Sequence, residues 1–217
     1  MKRKIVFIIN SLKNGGPVNM LYTLIKHVDA NKFDMYVIAL SKCDPNNERN
    51  FNELSCKVVT LSDNENTMKQ VNSLIEKINP DIVHSHGGRA DLVNSRLKGN
   101  FKTMITIHDM FPIEYVEYFG IVYSLYFKHN LAKTLRNTDM ILYNSIQTKK
   151  TTEKLFPAAR KIANCNAYII ANPLKDTWET TDKGYFLYVG NMEKRKGVDL
   201  LLKGYRRYRE LGGTKEL

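Results

Sequence analysis

The sequence has 217 residues, 43% hydrophobic and 25% charged, a balance that excludes a disordered chain and is enough for a full domain core. A formal net charge of +11 favours anionic partners (nucleotide phosphates, lipid headgroups or nucleic acid) without choosing among them. No apolar run reaches the roughly 18 residues that span a bilayer, and Cys43, Cys56 and Cys165 are too few and too scattered for a disulfide framework or a CxxC metal site.

The chain opens on Lys2, Arg3 and Lys4 ahead of a short apolar run. That run is shorter than a secretory h-region and no small-residue cleavage site follows, so a first strand over Ile5–Asn10 and a cytoplasmic location are expected. Ser11–Gly16 is a loop. Pro17 suits a helix start, where its missing N–H costs nothing. Val18, Leu21, Tyr22, Leu24, Ile25 and Val28 then recur at helical spacing. Strands are expected at Met35–Leu40 and Val58–Leu61. A helix follows over Met68–Ile78, closed by Pro80. Strands at Ile82–His84 and Met104–Ile107 come next, then a helix over Tyr115–Leu135 with an interruption near Gly120. A strand at Met140–Tyr143, a helix at Gln147–Phe156 and a strand at Tyr168–Ile170 complete the series. Beyond a polar, proline-containing stretch, Tyr185–Val189 reads as one more strand and Val198, Leu201, Leu202 and Tyr205 as the start of a helix.

This alternation predicts an α/β fold, a Rossmann-like parallel sheet with helices on both faces. The expected organisation is a domain over 1–172, a linker over 173–184, and the first strand and helix of a second domain over 185–217. Ligands of such sheets bind beyond the carboxyl ends of the strands. The residues there are Asn14-Gly15-Gly16, Ser85-His86-Gly87-Gly88, His108-Asp109, Asn144-Ser145 and Asn172-Pro173. Polar residues or glycines gather at all five places.

Four motifs carry the chemistry. In Asn14-Gly15-Gly16-Pro17, paired glycines allow close approach to the backbone, and the helix start beyond them presents unpaired N–H groups. A phosphate loop and a plain turn both fit, and the G-x-G-x-x-G spacing of a dinucleotide site is absent. In Pro80-Asp81-Ile82-Val83-His84-Ser85-His86-Gly87, two histidines at i and i+2 share one face of a strand. A zinc site needs a third ligand that the neighbouring sequence does not supply. His84 fits the core, and His86 lies nearer the crevice. In Thr106-Ile107-His108-Asp109, His108 closes a strand, where it can bond a sugar or phosphate, handle a proton, or simply cap a loop. In Tyr188 to Leu202, a strand runs into Gly190-Asn191 and the cluster Lys194, Arg195 and Lys196 just before a helix. That arrangement suits a diphosphate, or a solvated charge run.

In this order and spacing the motifs resemble the GT-B glycosyltransferases of family 4. The Gly-Gly loop resembles that family's opening loop, PDIVHSHG its fourth-strand signature and TIHD its histidine turn. ANP resembles the end of its first domain, and VGNMEKRKGVDLLL the opening of its donor domain. The resemblance covers nearly the whole chain. It implies a retaining, metal-independent transferase with no cofactor, moving a hexosyl group from a nucleotide sugar to a glycan or lipid-linked acceptor in cell-surface polysaccharide synthesis. Carried over by position, His108 is the catalytic-site residue beside the reacting sugar. Gly15 and Gly16 are implied to contact the donor phosphate or the acceptor, and Gly190, Asn191, Arg195 and Lys196 to bind donor phosphate. Asn14, His86, Asp109, Asn144 and Ser145 line the acceptor side. Asn191 stands where the family commonly carries arginine, and the family's later glutamate pair has no counterpart in these residues. The chain is therefore expected to be truncated early in the donor domain and inactive alone. The alternative is a non-catalytic subunit that binds an acceptor or a partner supplying the donor domain. The aromatic stretch Phe111–Lys133 beside basic residues fits a core helix whose aromatics pack on the sheet, and alternatively a peripheral contact with the inner membrane face. No nucleic-acid-binding signature is present.

Overall fold

A computed structural model describes residues 2–13, 15–62, 66–108, 113–166, 181–190, 192 and 196–217. The chain forms two compact units, Met1–Pro173 and Leu174–Leu217.

The first unit is a parallel sheet of seven strands: β1 (Arg3–Ile9), β2 (Phe33–Ala39), β3 (Cys56–Thr60), β4 (Ile82–His86), β5 (Lys102–Ile107), β6 (Met140–Tyr143) and β7 (Ala163–Asn166). Their order across the sheet is β3-β2-β1-β4-β5-β6-β7. The chain winds outward one way from β1 and the other way from β4, so the winding reverses between these two neighbours. A crevice opens at such a point, at the carboxyl ends of the strands. β1 is apolar without alternation because both its faces are covered: Val6, Phe7, Ile8 and Ile9 are all buried.

One face of the sheet packs Phe7, Ile9, Val37 and Ala39 against Val18, Leu21 and Ile25 of α1 (Gly16–His27) and Phe51 of α2 (Pro45–Asn52). On the other face, Val6, Ile8, Ile38 and Val83 pack against α3 (Thr67–Ile78) and α4 (Gly88–Asn94). On that same side, Ile105, Ile107, Ile141 and Tyr143 pack against Leu131 and Leu135 of α5 (Ile113–Arg136). Phe156, just after α6 (Ile146–Leu155), and Ala159 in the 3₁₀ turn Pro157–Lys161 complete this cluster. Cys43 and Cys56 are free thiols.

Two helices go beyond the sequence-based expectation. α2 begins on Asp44, whose side chain accepts from the Asn46 N–H, with Pro45 in the first turn, yet it buries only Phe51. So thin an apolar face leaves little periodicity to read. α4 buries Ala90, Asp91, Val93 and Asn94, and the two polar residues break the apolar pattern. The interruption expected in α5 falls at Gly120, whose φ of 76° and ψ of 173° break the helix in a region that favours glycine. The last strand of the sheet is Ala163–Asn166, paired with β6. The strand expected at Tyr168–Ile170 lies outside the described residues, as does most of the linker stretch.

In the second unit, α7 (Val198–Glu210) forms as expected. Tyr185–Val189 does not form the expected strand. A strand needs a neighbouring ladder to satisfy its backbone groups; in this stretch the Phe186 N–H bonds the Glu216 carbonyl at 2.7 Å, and no ladder forms among the described residues. Phe186 and Tyr208 meet edge to face at 5.2 Å.

Candidate functional site

The carboxyl ends of β4, β5 and β6 bring His86, His108 and Asn144 together. β4 ends on His86, which is fully inside the strand and 1% exposed. His108 follows β5 directly and is half-buried. The His86 Nδ1 and His108 Nε2 atoms lie 3.1 Å apart. His84 Nε2 lies 2.7 Å from the Thr106 hydroxyl. The three imidazoles form a row: ring centres are 4.3 Å apart between His84 and His86, and 5.3 Å between His86 and His108. Phe7 of β1 flanks the first two.

The row exists because parallel register sets it. Phe7 is opposite His84, and Ile9 is opposite His86, which is opposite Thr106. Side chains two apart on a strand share a face, so this face of β4 is lined by histidine where its neighbours carry Phe7 and Ile9. Burial removes water from the rings and disfavours the charged form. His84 is lowered to about 3, by burial and then by His108. His108 is lowered to about 4 by burial. His86 falls well below the ordinary histidine value, by burial and then by its two neighbours. All three rings are neutral at pH 7. No group of three or more His, Cys, Asp or Glu among the described residues is arranged to hold a metal ion.

Asn144 and Ser145 support the site from β6. The Asn144 Nδ2 donates to the His108 carbonyl at 2.8 Å, and the Asn144 Oδ1 accepts from the Thr148 hydroxyl at 2.8 Å. Ser145 caps α6 by accepting from the Thr148 N–H at 3.0 Å. Both expected acceptor-side residues therefore have bonds within the protein, and Asn144 holds the backbone that carries His108.

On the β1 side, Gly15 precedes α1 with extended backbone, φ 170° and ψ 165°. Gly16 is the first residue of α1. A Cβ added to Gly16 would meet nothing within 4 Å, and at Gly15 it would meet only Pro17, at 4.0 Å. The described residues supply no packing reason for either glycine. Gly87 differs: its φ is 96°, and it turns β4 into α4 beside the Asn10 side chain. Asn10 spans the switch point, its Oδ1 accepting from the Ala90 N–H at 3.1 Å.

Gly190 and Lys196 lie in the second unit, where both are exposed. Asn14, Asp109, Asn191 and Arg195 lie outside the described residues. Sequence reasoning missed Asn10, counted as the end of a strand, and Thr148, hidden within a polar helix. It also assigned no role to Asp91 and Asn94, and placed Ser85 at the crevice rather than in the core. Behind the histidine row, the Ser85 hydroxyl donates to Asp91 at 2.7 Å, and Asn94 Nδ2 bonds the Val83 carbonyl at 3.1 Å and the Met104 carbonyl at 3.0 Å. This buried network ties α4 to β4 and β5.

The sequence pattern of Glycosyltransferase Family 4 matches residues 14–170. No curated protein matches the sequence. Among solved structures, HepE of Anabaena in complex with UDP superposes with a TM-score of 0.58 at 14% identity, over 76% of this chain and 43% of that one. Sucrose-phosphate synthase of Thermosynechococcus elongatus gives 0.58 at 13% identity, over 76% and 47%. A glycosyltransferase of Rickettsia africae gives 0.50 at 14% identity, over 76% and 43%. At these identities the likeness establishes the fold. The chain spans less than half the length of each.

Proposed function

From the premise that this chain belongs to Glycosyltransferase Family 4, we propose that it serves hexosyl transfer from a nucleotide sugar to a glycan or lipid-linked acceptor, with the first unit forming the acceptor-side wall of the site. One observation carries this reading. His86, His108 and Asn144 meet at the carboxyl ends of β4, β5 and β6, and Gly15 and Gly16, which follow β1 next to β4 in the sheet, have open space that no described residue fills. Room at the backbone beside a helix start suits a phosphate or sugar hydroxyls. HepE was solved with UDP and with UDP-glucose, which makes a uridine nucleotide sugar the first donor to try.

His108 is neutral and anchored, so it serves the transferred sugar by hydrogen bonding. Lys196 serves the donor diphosphate in this proposal, neutralising charge as it develops on the leaving group; Gly190, Asn191 and Arg195 belong to the same donor loop. Asn14 and Asp109 join the acceptor side. The retaining outcome, the lack of a metal or cofactor and a role in cell-surface polysaccharide synthesis are parts of the same reading. So are the cytoplasmic location, the division at 172 and 184, and the inactivity of these 217 residues by themselves. The alternative is a non-catalytic subunit whose partner supplies the donor domain. A peripheral membrane contact is supported by α5. Ile121, Val122, Leu125 and Tyr126 are exposed on it, close to Lys128 and Lys133.

The test is ligand-observed NMR of the chain with UDP-glucose, UDP-N-acetylglucosamine and GDP-mannose, followed by His108→Ala. The expected result is binding of at least one, weakened about tenfold in the variant, the worth of one good hydrogen bond. Binding of none would sink the reading. Sugar transfer by the purified chain would overturn its inactivity. Co-purification of a donor-domain protein would select the subunit alternative.

A further inference from the structure

The proton between His86 and His108 decides what His108 can do. Both rings are neutral, so each carries a single N–H. The close pair is His86 Nδ1 and His108 Nε2, at 3.1 Å, and one of the two must donate. If His108 donates from Nε2, His86 carries its own proton on Nε2. That atom is buried and has no hydrogen-bond partner among the described residues, so this arrangement would place there an N–H that none of them accepts. If His86 donates from Nδ1, only a lone pair is left unmatched at its Nε2. Orphaned buried N–H groups are rarer in folded proteins than under-used acceptors. The second arrangement is favoured.

We propose that His86 is a positioning residue that donates to His108 and holds it in its Nδ1–H form, so that His108 meets its ligand as a hydrogen-bond donor to oxygen. Its Nε2 lone pair is spent on His86, and its remaining nitrogen carries a proton. His108 is then unsuited to take a proton from an acceptor hydroxyl, and suited to a sugar or phosphate oxygen. The backbone side of the residue is fixed as well, because Asn144 Nδ2 holds the His108 carbonyl at 2.8 Å. His84 keeps the row in place through its bond to Thr106. The proposal rests on the reading that His108 faces the transferred sugar for its meaning, although the tautomer itself does not.

The experiment is long-range proton–nitrogen correlation NMR of the full chain labelled with 15N-histidine, at neutral pH, with His86→Leu and His86→Asn beside it. In the wild-type chain, His86 and His108 are both expected as Nδ1–H forms. His86→Leu removes the donor, and His108 is expected to move to the Nε2–H form that free histidine prefers. His86→Asn places an amide N–H near the position of Nδ1 and is expected to restore the Nδ1–H form. A wild-type His108 protonated on Nε2 overturns the proposal, and that spectrum decides even if the leucine variant fails to fold. A folded leucine variant with an unchanged His108 tautomer also overturns it. Adding the nucleotide sugars to the wild-type sample separates the two claims. A correct tautomer with no response at His108 would fault the ligand reading alone.

Discussion

At the scale of single residues, the costliest feature is a set of imidazoles taken out of water. In the unfolded chain each histidine titrates near pH 6.5. In the fold, His84 stays neutral down to about 3 and His108 down to about 4. A folded value below the unfolded one means that stability is complete above the unfolded value. It is lost as pH falls toward the folded value, because the unfolded chain takes up protons first. Each such residue costs about 1.4 kcal/mol per pH unit in that window. The thermal midpoint is therefore expected to fall between about pH 7 and about pH 4.5. His84→Gln keeps an amide for the Thr106 hydroxyl and cannot titrate, so it should flatten the slope by about a third. Melts of both proteins across this range provide the check; equal slopes would mean that His84 is not held neutral.

At the scale of elements, α4 and α5 approach through a glycine. A Cβ on Gly88 would overlap the Phe127 ring. Gly88→Ala is expected to destabilise by about 1–3 kcal/mol, the usual cost of overpacking. Phe127→Leu in the same chain should recover part of that loss, because the smaller side chain vacates the space. Urea unfolding of the single and double variants measures it, and independent, additive effects would refute the contact. The break at Gly120 divides α5, and the part after it buries Ser124, Leu131, Thr134 and Leu135 while leaving Ile121, Val122 and Leu125 exposed. Its buried face carries two hydroxyls and its exposed face several apolar side chains, so periodicity alone could not tell which side met the sheet.

At the scale of the whole molecule, no described helix is long and apolar enough to cross a membrane, yet the net charge is +11. The membrane contact proposed above would pair the exposed Ile121, Val122 and Leu125 of α5 with Lys128, Lys133 and Arg136, exposed on the same helix. The chain is expected to pellet with anionic vesicles at low ionic strength and to be released at about 0.5 M salt, where charge screening is short-ranged. Leu125→Glu should weaken the association. Equal binding to neutral vesicles would exclude the charge-based contact.

The sequence by itself determined the α/β alternation and the places where the chain turns back toward the crevice. Both are local properties: apolar periodicity over a few residues, Pro17 at a helix start, and glycine or polar residues after each strand. It therefore located β6 to the residue and β1 to within a residue or two. Only the tertiary structure decided which of the flagged residues meet. His86 and His108 are 22 positions apart and touch because β4 and β5 are neighbours in register. Asn144 reaches His108 because β6 is the next strand along. The same holds for what the sequence reading missed. Asp91 and Asn94 are buried in α4 because a polar network on β4 and β5 awaits them, and Tyr185–Val189 is not a strand because no described strand pairs with it. Pairing and burial depend on residues distant along the chain, which no local pattern can report.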